Sequence, residues 1–342
     1  MCIRDRYFNT PNQEALCKKI SALECSESAM IFGSGMAAIS TTLLTFLSSG
    51  DHILLQKDIY GGTRNLVEAQ FDRFNIDYTF TDDIDLKCFK SGIKKNTKVI
   101  YIETPSNPLL KIIDIEKIAQ FAKSRDIITI IDNTFATPII QKPILFGVDV
   151  VLHSATKYFG GHSDISAGAV AASQTHIDKI WNLAKNLGGN LSDYSVWLLE
   201  RSMKTLSIRV KAQQKNAKKL AKYLSESRYV KKVYYPGLKN HPNHNLAKKQ
   251  MKGYGAMISF EFIDKIDPSL FLTSLNLIKP SMSLAGVEST MLSPAETSHY
   301  LLTENERLSQ GITNELIRFS VGIENKKDII MDIEHAIKLA IK

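Results

Sequence analysis

A lysine set directly behind an apolar run is out of place unless its amine is needed there, because lysine is seldom buried unpaired. In this chain the run "VDVVL" (148–152) leads into "HSATKYFGGHSD" (153–164). Lys157 therefore falls just past a buried strand, with Ser154 and Thr156 ahead of it and the glycines Gly160 and Gly161 behind. A desolvated lysine amine forms a Schiff base with an aldehyde, and the cofactor built around that chemistry is pyridoxal phosphate. Such a site needs four further things: an acid for the ring nitrogen, an aromatic stack, a phosphate cradle and a clamp for the substrate carboxylate.

Each has a candidate. Asp132 follows a β-branched run and is suited to keep a pyridine nitrogen protonated, although "DNT" equally suits an Asx turn closing the strand. "FGSGMAAIS" sets Gly33, Ser34 and Gly35 just before a helix beginning near Met36. Exposed amides and the helix dipole there would hold a phosphate; a plain tight turn is the alternative. Ser154 and Thr156 offer hydroxyls to the same anion. Tyr60 in "DIYGGT" has small neighbours that leave room for a flat ring, or it is a turn tyrosine packed on the surface. Arg318 in "LIRFSVGIE" is one cation in an apolar strand, fit for a bidentate carboxylate clamp or simply facing water.

The elements that would position these residues alternate along residues 30 to 170. "KVIYIE" (98–103), "IITII" (127–131) and "VDVVL" (148–152) read as strands, and "DIEKIAQFAKSRD" (114–126) as a helix with Asp114 as N-cap. Continuous β-branched runs separated by helices imply an α/β fold with a mostly parallel sheet covered on both faces. Each strand releases a polar cluster at its C-terminal end, the edge where open α/β sheets bind ligands. Asn107, Asp132 and Lys157 stand 25 residues apart each time, about one strand–loop–helix unit, which should bring all three to one rim. A long helical stretch over about 185–225 leaves this domain. We read a large domain over residues 1–205 and a smaller C-terminal α/β domain over 206–342, with strands at 254–262 and 315–324 and a closing helix at 326–342.

Composition narrows the function. The chain has 342 residues, 44% hydrophobic and 23% charged, with a formal charge of +8. Much of that excess lies in residues 210–232, where lysines interleave with Ala, Leu and Tyr as on the solvated face of an amphipathic helix. No nucleic-acid reading motif accompanies it, so no nucleic-acid partner is expected. Residues 28–50 carry no charge, but 11 of the 23 are Ser, Thr or Gly, too polar for a membrane span; they read as a glycine turn entering a buried helix. The four cysteines form no CxxC pair, which points to reduced thiols and the cytoplasm. His241 and His244 in "HPNH" have metal-like spacing but no close Cys or acidic partner, so no metal is expected.

Taken together, "SATKYFGGHSD", "YGGT", "ETPSNP", "DNTFATP", "YYPGLKNHPNH" and "IRFSVGIE" resemble one family over nearly the whole chain. It is the pyridoxal-phosphate-dependent family of Cys/Met metabolism: cystathionine synthases and lyases, homoserine-ester sulfhydrylases and methionine γ-lyases. The resemblance implies the aspartate-aminotransferase-like fold (fold type I) and a homotetramer built from dimers. It makes Lys157 the Schiff-base lysine, pairs Asp132 with the ring nitrogen and stacks Tyr60 on the ring. Ser34, Gly35, Met36, Ser154 and Thr156 then hold the phosphate, while Asn107, Ser283 and Arg318 orient the substrate carboxylate and cofactor. The substrate is a small amino acid. The implied reaction is transsulfuration at Cγ, of the cystathionine γ-synthase type on an O-acylated homoserine. Cystathionine β- or γ-lyase is the alternative, and a sulfhydrylase or methionine γ-lyase stands further off. A non-catalytic scaffold is the reading of a different class, and a colourless protein after addition of cofactor would favour it.

Three positions depart from the family pattern. A Tyr-x-Arg pair expected near the N-terminus falls on Asp5 and Tyr7, and the match starts abruptly after "MCIRDR", so we expect a natural protein that continues upstream. Met282 stands where cystathionine γ-lyases tend to carry a glutamate for the distal ammonium of cystathionine. Ala285 stands where the family favours glycine. "YGGT" also lacks the cysteine typical of methionine γ-lyases.

Overall fold

The computed structural model describes residues 8–298, 300 and 302–342; Asp5 and Tyr7 lie outside them. The chain divides into two compact units. The first comprises Met1–Pro105, Ile112–Gly160 and Asp164–Lys204, and the second Ser106–Lys111, Gly161–Ser163 and Thr205–Lys342. Two short loops, Ser106–Lys111 and Gly161–Ser163, thus group with the second unit.

The first unit is built on seven strands: β1 (Ser28–Phe32), β2 (His52–Leu55), β3 (Asp77–Phe80), β4 (Thr97–Glu103), β5 (Ile128–Asp132), β6 (Val150–Ser154) and β7 (Gly168–Ala172). Their order is β1-β7-β6-β5-β4-β2-β3. β6, β5, β4, β2 and β3 pair in parallel, and β7 runs antiparallel to both its neighbours. The sheet is therefore an α/β sheet that is mostly parallel. The apolar runs form central strands because both of their faces are covered: Val99, Ile100, Tyr101, Ile102, Ile130, Ile131, Val150, Val151 and Leu152 are all 0% exposed. Each such side chain contributes about 1.5–3 kcal/mol through burial, which fixes the strand ends that carry the polar residues.

Two stretches differ from their sequence reading. Residues 28–50 contain a strand, β1, before the glycine turn, and the buried helix is Gly35–Phe46. The long helical stretch is three helices, Gln174–Leu187, Asp193–Met203 and Leu206–Glu226. Gly188 and Gly189, both at positive φ, interrupt the first two.

The second unit holds a five-stranded sheet of β8 (Val230–Tyr234), β9 (Met257–Phe262), β10 (Lys279–Pro280), β11 (Thr290–Leu292) and β12 (Leu316–Ser320). Its order is β10-β11-β12-β9-β8. The lysine-rich stretch stops being helical at Glu226, and its last residues enter β8. Helix Lys326–Leu339 closes the chain. Among the described residues no helix is long and apolar enough to cross a membrane.

Ala285 is fully buried with φ 70°, in the left-handed region that costs a residue with a Cβ about 1–2 kcal/mol. Its N–H donates to Ser320 Oγ at 2.7 Å, which holds the backbone in place. We expect urea unfolding to rank variants at this position Gly at least as stable as Ala, and Val below both by about 2 kcal/mol. A Val variant as stable as the Ala protein would show that the strain is absent.

Candidate active site

The C-terminal ends of β4, β5 and β6 line up in register, with Glu103 opposite Asp132 and Asp132 opposite Leu152. Asp132 is 6% exposed, and burial raises its pKa. Hydrogen bonds from Thr134 and the charge of His153 oppose that rise. Thr134 N–H donates to Asp132 Oδ1 at 2.9 Å, so the Asx turn suggested by "DNT" is present. The turn does not exclude a binding role, because it also aims the carboxylate. Thr134 Oγ1 accepts from Ser154 N–H at 2.8 Å, joining Asp132 to the end of β6.

Beyond Ser154 the chain makes a wide turn, closed by Gly160 N–H donating to Ala155 O at 2.8 Å. Lys157 sits inside this turn with φ −82° and ψ −118°, a break in helical backbone. One-turn wide helices of this kind recur at functional sites. Thr156 clamps the turn to the chain entering β7: its N–H and hydroxyl both donate to Ala167 O, at 3.0 and 3.1 Å, and Ala167 N–H donates back to the hydroxyl at 2.9 Å. A phosphate contact from Thr156 would require the hydroxyl proton to leave Ala167. The Ser154 hydroxyl has no such commitment among the described residues.

Helix Gly35–Phe46 starts against Ser154. Ser34 is extended at φ −160° and caps the helix, its hydroxyl accepting from Ala37 N–H at 3.0 Å. The N–H groups of Gly35 and Met36 are first-turn donors, which no helix can satisfy internally. A methyl at Gly35 would lie 3.1 Å from both Cβ and Oγ of Ser154, so glycine lets the helix start come this close without crowding Ser154. Tyr60 completes the group. A methyl at Gly62 would lie 2.5 Å from Tyr60 Cε1 and 3.1 Å from Met36 Sδ, which places the phenol ring over the glycine and beside the helix start. Tyr60 is 46% exposed, so much of its ring is open to a ligand. Its N–H donates to Glu103 Oε2 at 2.7 Å, and Glu103 N–H donates to Gln56 Oε1 at 2.9 Å. Glu103 is the last residue of the apolar run "KVIYIE". Its place at a strand end was the signal for this anchoring role.

Asn107, Ser283 and Arg318 all belong to the second unit. Arg318, on β12, is 4% exposed, which removes the reading that it faces water. Its Nη2–H donates to Met282 O at 3.0 Å and its Nη1–H to Asn107 Oδ1 at 3.4 Å. Both acceptors are neutral. Burial lowers the guanidinium pKa to about 10, so it stays charged at neutral pH. Among the described residues no carboxylate forms an ion pair with it. Ser283 lies in the same loop as Met282, its carbonyl accepting from Thr290 Oγ1 at 2.8 Å. Met282 is 62% exposed. His241 and His244 serve a turn, with His241 Nδ1 accepting from Asn243 N–H and His244 Nδ1 lying 2.8 Å from Pro236 O.

The model of the Cys/Met metabolism PLP-dependent enzyme family matches residues 5–338. The chain belongs to that family. This Cys/Met-metabolism enzyme is 44% identical over 329 residues to a cystathionine beta-lyase of Lactococcus lactis subsp. cremoris, covering 96% of this chain and 86% of that one. A crystal structure of cystathionine gamma-lyase from Lactobacillus plantarum complexed with L-serine has a TM-score of 0.94 and 41% identity, covering 97% of this chain and 87% of that one. A cystathionine gamma synthase from Xanthomonas oryzae pv. oryzae, in complex with aminoacrylate and cysteine, has a TM-score of 0.93 and 35% identity over 96% of this chain and 86% of that one. The neighbours make the fold type I of pyridoxal-phosphate enzymes, and the chain is an enzyme of transsulfuration chemistry.

The family's cofactor is pyridoxal 5'-phosphate, and the residues present fit it. The glycine-lined helix start suits the phosphate, and the open face of Tyr60 suits a flat ring. The buried Asp132 carboxylate, raised by desolvation, would be relieved by a cationic ring nitrogen.

Proposed function

We propose that this enzyme breaks the carbon–sulfur bond of cystathionine, as a lyase. The observation that carries an amino-acid substrate is the charged, buried Arg318, bonded only to neutral acceptors among the described residues. A buried cation without an anion is costly, and a substrate α-carboxylate would supply the missing charge. The identity to beta-lyase and gamma-lyase relatives supports cleavage, and a gamma-synthase neighbour of the same fold keeps the replacement reading beside it.

In this reading Arg318 binds the α-carboxylate, with Asn107 and Ser283 beside it in the same unit. Bound pyridoxal phosphate supplies the electron sink that makes the Cα proton acidic. Asp132 would hold the ring nitrogen and Tyr60 the ring face, while Ser34, Gly35, Met36 and Ser154 would hold the phosphate, joined by Thr156 once its hydroxyl proton leaves Ala167 O. Lys157 Nζ would hold the cofactor and would be the base that takes the proton from the substrate Cα. In β-elimination the Cβ–S bond then breaks and sulfur leaves as the thiol. In γ-elimination Lys157 also moves a Cβ proton before the Cγ–S bond breaks. Water then releases ammonia and an oxo acid.

A second reading, γ-replacement on an O-acylated homoserine, is favoured by Met282, which offers no charge to the distal ammonium of cystathionine. The experiment is the oxo acid formed when holo-enzyme is given L-cystathionine alone. Pyruvate is expected for β-cleavage and 2-oxobutyrate for γ-cleavage. No oxo acid, with cystathionine formed from an acylated homoserine and cysteine, would replace the lyase reading by the synthase. The family resemblance further implies a cytoplasmic homotetramer; sedimentation tests the assembly.

A further inference from the structure

Behind Asp132, on the first unit's sheet, lies a buried glutamate–histidine pair that the reaction itself does not use. Helix Pro11–Glu24 ends on Glu24, and Cys25, at φ 62°, turns the chain away. Glu24 is 0% exposed and His153, on β6, is 3% exposed. Their Oε1 and Nε2 atoms are 2.5 Å apart, within hydrogen-bond distance. Asn133, the residue after Asp132, donates from Nδ2 to Glu24 Oε1 at 3.0 Å and to Gln141 O at 3.0 Å. Gln141 Nε2 donates to Asn133 Oδ1 at 3.1 Å and to Thr104 O at 3.0 Å. Asn133 N–H donates to Leu152 O at 2.9 Å, locking the end of β5 to β6. The His153 ring lies 4.6 Å from that of Phe159, two residues past Lys157.

Stability alone does not account for this arrangement. A buried ion pair is commonly no better than apolar residues of the same volume, and Glu24 Oε2 is buried without a hydrogen-bond partner among the described residues. What the pair does have is a position. His153 immediately precedes Ser154, its charge acts on Asp132 against the effect of burial, and Glu24 is tied to Asp132's neighbour.

We propose that Glu24 and His153 are positioning residues that act on the cofactor through Asp132: Glu24 holds the His153 ring at the end of β6 and ties down Asn133, the residue that follows Asp132. This rests on the assignment of Asp132 made above. Glu24→Gln keeps the size and an acceptor for Asn133 but removes the charge. In the purified holo-enzyme it is expected to release cofactor about tenfold faster, shift the visible absorption band of the bound cofactor and lower kcat about tenfold, with KM for the amino acid unchanged. His153→Gln should reproduce these effects, and the double variant should add little to either.

A purely structural pair predicts otherwise: a lower Tm with wild-type absorption and release rate, and that result overturns the proposal. Asp132→Asn, measured alongside, separates the two levels. If it leaves band and release unchanged, the assignment of Asp132 fails. If it changes both while Glu24→Gln and His153→Gln change neither, only the role of the pair fails. Should Glu24→Gln not fold, His153→Gln carries the same readouts; failure of both to fold would assign the pair to the core and equally overturn the proposal.

Discussion

Lys157→Ala is expected to lose turnover by at least about 10³-fold, with the protein still folded. The loss is large because, in the proposed reading, one amine serves twice, as the attachment point of the cofactor and as the acceptor of the Cα proton. The fold should survive because the turn around Lys157 is held by other groups: the Thr156–Ala167 hydrogen bonds and the Gly160–Ala155 bond. Far-ultraviolet circular dichroism should therefore match the unaltered protein, while steady-state oxo-acid formation disappears. A variant retaining a tenth of the original rate would mean that another base takes the proton.

Arg318 gives the second large effect, and here activity and stability should move in opposite directions. Replacing the guanidinium by Met removes the charge expected to meet the α-carboxylate. We expect kcat/KM to fall about 100-fold, the loss of charge-assisted hydrogen bonds worth about 3 kcal/mol. Arg318→Lys should recover little, since an ammonium cannot reproduce the planar fork. The folded enzyme without substrate, however, carries a desolvated cation on neutral acceptors, Met282 O and Asn107 Oδ1. Arg318→Met should thus leave urea stability unchanged or raise it by about 1–3 kcal/mol. A destabilised variant with unaltered kcat/KM would make Arg318 a structural residue.

The sequence revealed most where one local pattern sufficed. β4, β5 and β6 were legible because a central parallel strand must be apolar on both faces, and Asp132 and Lys157 because they follow those runs directly. β7 was not legible. "GAVAA" carries no bulky β-branched run, because space is short there: a methyl at Gly168 would lie 2.1 Å from Ser34 O. Arg318 could be seen but not weighed, since a lone strand arginine faces water or lies buried, and only its burial separates the two. Thr156 was visible as a hydroxyl near the lysine, yet its bonds to Ala167 depend on where β7 returns. The Glu24–His153 pair had no sequence signal at all. Its members are 129 residues apart, and "LECSES" reads as an ordinary polar helix end.

The central claim is that Lys157 carries the cofactor, and one measurement reaches it without any assumption about substrate. Purified enzyme saturated with pyridoxal phosphate is reduced with borohydride, digested and mapped by mass spectrometry. The account predicts a single stoichiometric pyridoxyl adduct, on Lys157 in the peptide that contains "HSATKYFGG". Stoichiometric labelling of another lysine, or none on Lys157 from a yellow protein, would contradict it.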